Sequence, residues 1–420
     1  MLITMLAAGT RGDTQPYIAL GLALKAAGYT VRIAASETFQ SFVEGFGLEF
    51  YPLQGDVSKV STDSHLKKAM QADNPLKIVM SFKVLREYAF SLQKGFYDAC
   101  QGADAIVYHP GAAIGYFIAQ ALNIPSILAT PFPMTPTKDY PALIFYDSVR
   151  LGKTFNLLTH ILFEQTMWLV SSLPIQQFWK QEFGSVPPNF TNPFRAIREK
   201  NALTIVSCSN YVFPEPKDWP DRVHNTGYWF VDEEHNWTPS DELQDFLQSG
   251  TPPVYVGFGS LGDPDRATQT TELVIDALNR SGQRGVLATG WSGMAKLDRI
   301  PENIFILDSA PHAWLFPRMS AVVHHGGAGT TAAGLRAGVP SILIPHANDQ
   351  FAWGRRVYEL GVGAKPIPRQ KLTAAKLSEA IMQALTPEVK LAAKALGARI
   401  QSEHGSETAA KAIAHYLEQQ

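Results

Sequence analysis

Residues 321–363 read AVVHHGGAGTTAAGLRAGVPSILIPHANDQFAWGRRVYELGVG. Ala321 to His324 is an apolar run of strand length. His325-Gly326-Gly327-Ala328-Gly329 follows with almost no side chains, and Thr330 to Ala337 has helical spacing, ended by Gly338 and Pro340. Glycines let a ligand come close to the backbone, and a helix N-terminus offers free N–H groups and positive dipole charge. The segment therefore reads as a diphosphate cradle, with His325 and the hydroxyls of Thr330 and Thr331 as added donors. The next strand, Ser341 to Ile344, runs into a loop holding Asp349 and Gln350. A carboxylate and an amide suit a sugar, whose hydroxyls both donate and accept. Against this, Asp349 would simply cap a helix starting near Phe351.

The same grammar extends backwards to Pro253. Val254–Phe258 is a strand, Gly259–Gly262 a glycine-rich turn and Thr270–Asn279 a helix, with further strands at Gly285–Thr289 and Ile304–Leu307. The start of the chain repeats it: Leu2–Ala7 strand, Gly9–Gly12 turn, Ile18–Ala27 helix, Val31–Ala34 strand, then Ala105–Tyr108 and Ser126–Ala129 flanking a helix at Ile114–Leu122. Alternating strands and helices imply parallel sheets covered on both faces. The expectation is α/β, with an N-terminal domain over 1–211, a linker over 212–240 rich in Pro and Trp, a C-terminal domain over 241–400, and a last helix, 401–420, packing back toward the N-terminal domain. Ligands sit beyond the carboxyl ends of such strands. Two doubly wound Rossmann-like domains facing each other across a cleft would hold one substrate each, which suits a two-substrate transfer.

A chain of 420 residues is long enough for two cores. It is 45% apolar and 18% charged with a formal net charge of −2, so disorder is disfavoured and no basic surface speaks for nucleic acid. Two cysteines, Cys100 and Cys208, are no disulfide framework and fit a reducing cytoplasm. No run of 18 apolar residues is present. Leu157–Val170, broken by His160 and Glu164, reads as a core or pocket helix, with peripheral contact at the inner face of a membrane as the alternative.

The 321–363 segment resembles the donor-binding signature of family 1 glycosyltransferases of the GT-B fold, in particular the branch of sterol 3-β-glucosyltransferases and glycopeptide-antibiotic glycosyltransferases. Gly9-Thr10-Arg11-Gly12-Asp13-Thr14-Gln15-Pro16, Val256-Gly257-Phe258-Gly259-Ser260 and Pro311-His312-Ala313-Trp314-Leu315-Phe316-Pro317 extend the likeness. It covers most of the C-terminal half and the opening of the N-terminal half, and is weak over 56–210.

The resemblance implies inverting transfer of a hexose, glucose foremost, from a UDP-sugar co-substrate to a hydroxyl of an apolar acceptor such as a sterol, terpenoid, polyketide or lipid. It implies no tightly bound cofactor and no metal. Donor residues carried over are Gly12, Ser260, Trp291, His312, Ala313, His325, Gly327, Gly329, Thr330, Asp349 and Gln350. Trp291 would stack on the base or be an ordinary rim residue; Ser260 would reach the β-phosphate or merely suit a tight turn. Where plant members place a histidine in the first strand–helix loop, this chain has Asp13. Asp13 is thus assigned as general base, although it would also cap a helix beginning near Pro16. His109, after another strand, is the runner-up base, or a residue that fixes its loop. On the acceptor side Phe132, Met134 and Tyr140 lie in a greasy stretch after a strand, as pocket wall or as core. The readings set against this one are a dTDP-deoxysugar natural-product transferase, a nucleotide-sugar epimerase, a dinucleotide oxidoreductase lacking its full glycine fingerprint, and a non-catalytic accessory subunit. Oligomeric state is left open.

Overall fold

The computed structural model describes residues 1–54, 89–147, 150–231, 237–258, 267–289, 299–346 and 349–420. The chain divides into two compact units. The first contains Met1–Ala142, Arg150–Val231 and His404–Gln420; the second contains Leu143–Val149 and Asp232–Glu403.

The first unit is built on seven strands: β1 (Leu2–Leu6), β2 (Thr30–Ser36), β3 (Glu49–Leu53), β4 (Ala105–Tyr108), β5 (Ser126–Thr130), β6 (Thr204–Val206) and β7 (Val223–Asn225). They pair in parallel in the order β3-β2-β1-β4-β5-β6-β7. Successive side chains point to opposite faces, and both faces are buried, so the strands read as unbroken apolar runs. Ile3, Met5, Val107 and Ile127 pack with α1 (Arg11–Ala26) and the C-terminal helix α9 (Gly405–Leu417). Leu6, Ile106 and Leu128 pack with α2 (Ile114–Leu122), α3 (Lys153–Phe183) and α4 (Pro193–Glu199) on the other face.

The second unit carries β8 (Val254–Gly257), β9 (Gly285–Ala288), β10 (Ile304–Leu307), β11 (Ala321–His324) and β12 (Ser341–Leu343), parallel in the order β10-β9-β8-β11-β12. Val254, Val256, Val323 and Ile342 meet α5 (Ala267–Arg280), while Tyr255, Val286 and Val322 meet Leu315 and Phe316. α6 (Ala328–Ala337), α7 (Gln350–Glu359) and α8 (Pro387–Gln401) follow the strands.

Three expectations change. α1 begins at Arg11, not Ile18, and contains Pro16; the lost N–H removes only the bond to the carbonyl of Gly12. The stretch expected as a linker, 212–240, is core as far as Val231: Val212, Phe213, Trp219 and Trp229 are buried, and β7 lies within it. Its tryptophans are anchored, Trp219 Nε1 donating to the Thr135 carbonyl (3.1 Å) and Trp229 Nε1 to Thr226 Oγ1 (2.9 Å). Leu143–Phe145 belong to the second unit and pack on α7, where the Tyr146 hydroxyl donates to Glu359 Oε2 (2.7 Å). The C-terminal helix α9 packs on α1.

Candidate active site

In the first sheet the strand order reverses between β1 and β4, the position where doubly wound sheets bind ligands. The register pairs Leu6 with Tyr108, and the His109 N–H donates to the Leu6 carbonyl (3.0 Å). The loops after these strands are therefore neighbours, and they bring Asp13 to His109. Asp13 Oδ2 accepts from the Thr10 N–H (2.7 Å) and the Thr10 hydroxyl (3.0 Å), so that Asp13, the third residue of α1, closes a capping box on the N-cap Thr10. Its other oxygen, Oδ1, lies 3.7 Å from His109 Nε2. One carboxylate thus closes the capping box with one oxygen and turns the other toward His109.

His109 Nδ1 accepts from the Gly111 N–H at 3.0 Å, so the neutral ring carries its proton on Nε2. Burial pushes its pKa down and Asp13 pulls it up, with burial the larger effect. A neutral ring protonated on Nε2 and occupied on Nδ1 has no site left to accept a proton. The two candidate bases stand side by side, 3.7 Å apart, with the His109 ring turning Nε2 to the carboxylate.

Gly9 has φ +133°, and a Cβ there would fall 2.2 Å from Asp13 Oδ2. Replacing Gly9 by alanine should strain the backbone and push the carboxylate aside. The expected result is roughly a tenfold or larger loss of turnover in a folded protein, read by steady-state kinetics beside circular dichroism. Gly12, by contrast, is exposed, and the nearest atom to a Cβ there would be Thr10 Oγ1 at 3.6 Å. Nothing inside the unit requires glycine at 12; a closely approaching ligand would.

In the second sheet the reversal lies between β8 and β11, where Gly257 pairs with His324. His324 is fully buried, and its Nδ1 accepts from the Gly326 N–H (3.1 Å). This contact draws the chain into its bend, with Gly326 at φ +96°. Gly327 follows so closely on the ring of His325 that a Cβ would stand 2.6 Å from Nε2. His325 Nδ1 is buried without a hydrogen-bond partner. α6 then starts with no side-chain cap on Gly327, and the Thr331 N–H makes the first helical bond, to the Gly327 carbonyl (2.9 Å). The N–H groups of Ala328, Gly329 and Thr330 precede it and have no intrahelical acceptor.

Two details differ from expectation. The Thr331 hydroxyl turns back to the Gly327 carbonyl (2.9 Å) and is buried, so of the two hydroxyls only that of the half-buried Thr330 is left for a ligand. Asp349 does not cap α7 with its side chain; Oδ2 accepts from the Trp353 indole N–H at 3.0 Å. Gln350 is buried and its Oε1 accepts from the His346 N–H (2.8 Å). His312 opens a short helix, His312–Leu315, with its ring stacked on Phe316 at 4.2 Å, and Ala313 beside it is half-buried. Ser260 and Trp291 lie outside the described residues.

Burial lowers the pKa of His325 to about 4, so its ring is neutral near pH 7. In the unfolded chain an ordinary histidine titrates near 6.5. Between these values the unfolded state binds more protons, so stability is full above about pH 6.5 and falls as pH drops toward 4. His324, driven lower by burial, adds to the same slope. Thermal melts from pH 7 to 4 should show a falling midpoint, and His325→Gln should flatten part of that fall.

On the proposed acceptor side, Met134 and Tyr140 are buried, and Phe132 packs against the core that contains Met134. The segment is held from several sides. Asp218 accepts from the Thr137 hydroxyl (2.6 Å) and the Lys138 N–H (2.8 Å). From α3, Thr159 Oγ1 accepts the Ala142 N–H (2.9 Å), Asn156 donates to the Lys138 carbonyl (2.9 Å), and His160 Nε2 stands 3.0 Å from the Tyr140 carbonyl. Met134 and Tyr140 are core side chains that fix the wall. Among the described residues, no three His, Cys, Asp or Glu side chains are grouped to hold a metal.

Residues 3–141 match the glycosyltransferase family 28 N-terminal domain, and residues 272–419 the erythromycin biosynthesis protein CIII-like C-terminal domain. A sterol 3-beta-glucosyltransferase of Arabidopsis thaliana is 35% identical over 425 residues, covering 99% of this chain and 68% of the plant protein. A sterol 3-beta-glucosyltransferase of Yarrowia lipolytica is 36% identical over 98% of this chain, which spans 28% of that longer protein. Among solved structures, the glycosyltransferase of kitacinnamycin superposes with a TM-score of 0.73 at 19% identity, covering 99% of both chains. The calicheamicin glycosyltransferase CalG4 gives 0.67 at 18% identity, over 99% of this chain and 98% of its own. These neighbours share the GT-B fold with its two Rossmann-like parallel-sheet units. The chain belongs to the sterol 3-beta-glucosyltransferase family of glycosyltransferases and is a sugar-transferring enzyme.

Proposed function

We propose that the enzyme transfers glucose from UDP-glucose, with inversion, to the hydroxyl of a sterol or a similar rigid apolar alcohol. The observation that carries the donor half is the unpartnered, buried His325 Nδ1 beside the uncapped N-terminus of α6, at a bend where Gly326 holds φ +96°. Such a site suits a diphosphate.

In this reading the N–H groups of Ala328, Gly329 and Thr330 and the ring of His325 take up the charge that grows on the leaving diphosphate. Those donors carry the charge without a metal. Asp349 and Gln350 recognise sugar hydroxyls, and the backbone at His312 and Ala313 meets the base. Asp13 Oδ1 accepts the proton of the acceptor hydroxyl as its oxygen bonds to the anomeric carbon and the bond from that carbon to the diphosphate breaks. His109 Nε2, buried without a hydrogen-bond partner and 3.7 Å from Asp13 Oδ1, faces the same carboxylate. Phe132 and the wall fixed by Met134 and Tyr140 face an acceptor with few polar groups. The proposal puts the enzyme in the cytoplasm, in peripheral contact with the inner face of a membrane, where such acceptors dissolve.

The test is a panel of UDP- and dTDP-sugars, each offered with a sterol and with a water-soluble phenol and read by mass spectrometry. UDP-glucose with the sterol should give the highest rate of hexosylated product. Preference for a dTDP-deoxysugar would replace the donor assignment, and the solved neighbour VinC, crystallised with dTDP, shares the fold at a TM-score of 0.67 and 15% identity.

A further inference from the structure

α3 runs 31 residues and has two very different faces. Inward, Asn156, Thr159 and His160 hold the 131–142 wall, and Glu164 is buried in an ion pair with Arg198 of α4. Outward, Leu158, Ile161, Leu162, Leu169, Val170 and Leu173 are exposed, Leu169 and Leu173 by 68% and 67%. Single exposed leucines are ordinary; a contiguous stripe is not. Leu158, Leu162, Leu169 and Leu173, four and seven residues apart, lie along one side of the helix, with Ile161 and Val170 on its two flanks. The only other exposed residues between Leu158 and Leu173 are Gln165 and Thr166, so this face carries no charge. Exposed Lys180, seven residues after Leu173, closes it at the C-terminal end. No helix among the described residues is long and apolar enough to cross a membrane.

We propose that this face of α3 docks on the surface of a lipid bilayer. An uncharged apolar bar with a cation at its C-terminal end fits acyl chains along its length and anionic headgroups at that tip. A helix is about 10 Å across, so docking brings the 131–142 wall within one helix diameter of the lipid. An apolar acceptor then moves from bilayer to wall without crossing water. This last consequence rests on the proposed acceptor class; the docking itself does not.

The test is flotation of the full chain with phosphatidylcholine vesicles, with and without phosphatidylglycerol, beside the variant Leu158→Gln/Leu162→Gln/Leu169→Gln. The native chain should float, more so with phosphatidylglycerol, and the variant should bind roughly tenfold or more weakly. The variant should turn over a water-soluble phenol at the native rate and lose turnover of sterol held in vesicles. A native chain that does not float, or a variant that floats equally, overturns docking. So does a native dimer that the substitutions dissociate in light scattering, since the face then joins two copies of this chain. A native chain that floats but glucosylates neither acceptor leaves docking standing and defeats the acceptor assignment instead.

Discussion

Asp13→Asn should lower kcat for sugar transfer by about 10²- to 10⁴-fold, the usual worth of a positioned general base. Asp13 is the third residue of α1, and the carbonyl oxygen of an asparagine there can keep the contact from the Thr10 N–H. The melting point should therefore stay near native, and UDP affinity, read by calorimetry, should be unchanged. Asp13→Ala removes both the proton acceptor and the cap. It should match the asparagine variant in kcat while losing about 1 kcal/mol of stability. That pair of variants separates the two jobs of one carboxylate. If the asparagine variant kept native kcat and only the alanine variant failed, Asp13 would be a cap and nothing more. His109→Gln should be milder, because the ring has its Nδ1 tied to Gly111 and acts only through Asp13.

His325→Ala should lower kcat/KM by roughly 10²- to 10³-fold, the usual cost of removing one donor aimed at a developing negative charge. The diphosphate is already charged before the bond breaks, so part of the loss should appear as a higher KM for the donor and part as lower kcat. The fold should survive, since the ring makes no hydrogen bond at Nδ1 within the unit. His325→Gln keeps an N–H donor and should recover a portion of the rate. Equal loss in both variants, with KM unchanged, would argue for packing rather than diphosphate contact.

Strands buried on both faces announce themselves as unbroken apolar runs, which is why β1, β4, β8 and β11 are legible in sequence. So is the α6 cradle, because its glycines and helix start are contiguous. β6 and β7 have three residues each, too short for any period to show, and β7 sits between Trp219-Pro220 and Trp229. That same composition made 212–231 look like a linker, whereas the tryptophans there bury and anchor. The Asp13–His109 pairing was also out of reach. The two residues are 96 positions apart and meet only because Leu6 registers with Tyr108. His324 escaped notice for another reason: its work is a back-bond to the Gly326 N–H, and an apolar strand ending in histidine does not reveal which way the ring turns. The outer face of α3 was legible in part, since Leu157–Val170 is apolar. Which side is buried depends on Glu164 finding Arg198.

The most direct measurement is a crystal structure with UDP bound. The diphosphate should lie on the backbone N–H groups of Ala328, Gly329 and Thr330, within hydrogen-bond distance of the His325 ring. A diphosphate seated anywhere else would contradict the donor site, and with it the roles given to Asp349 and Gln350.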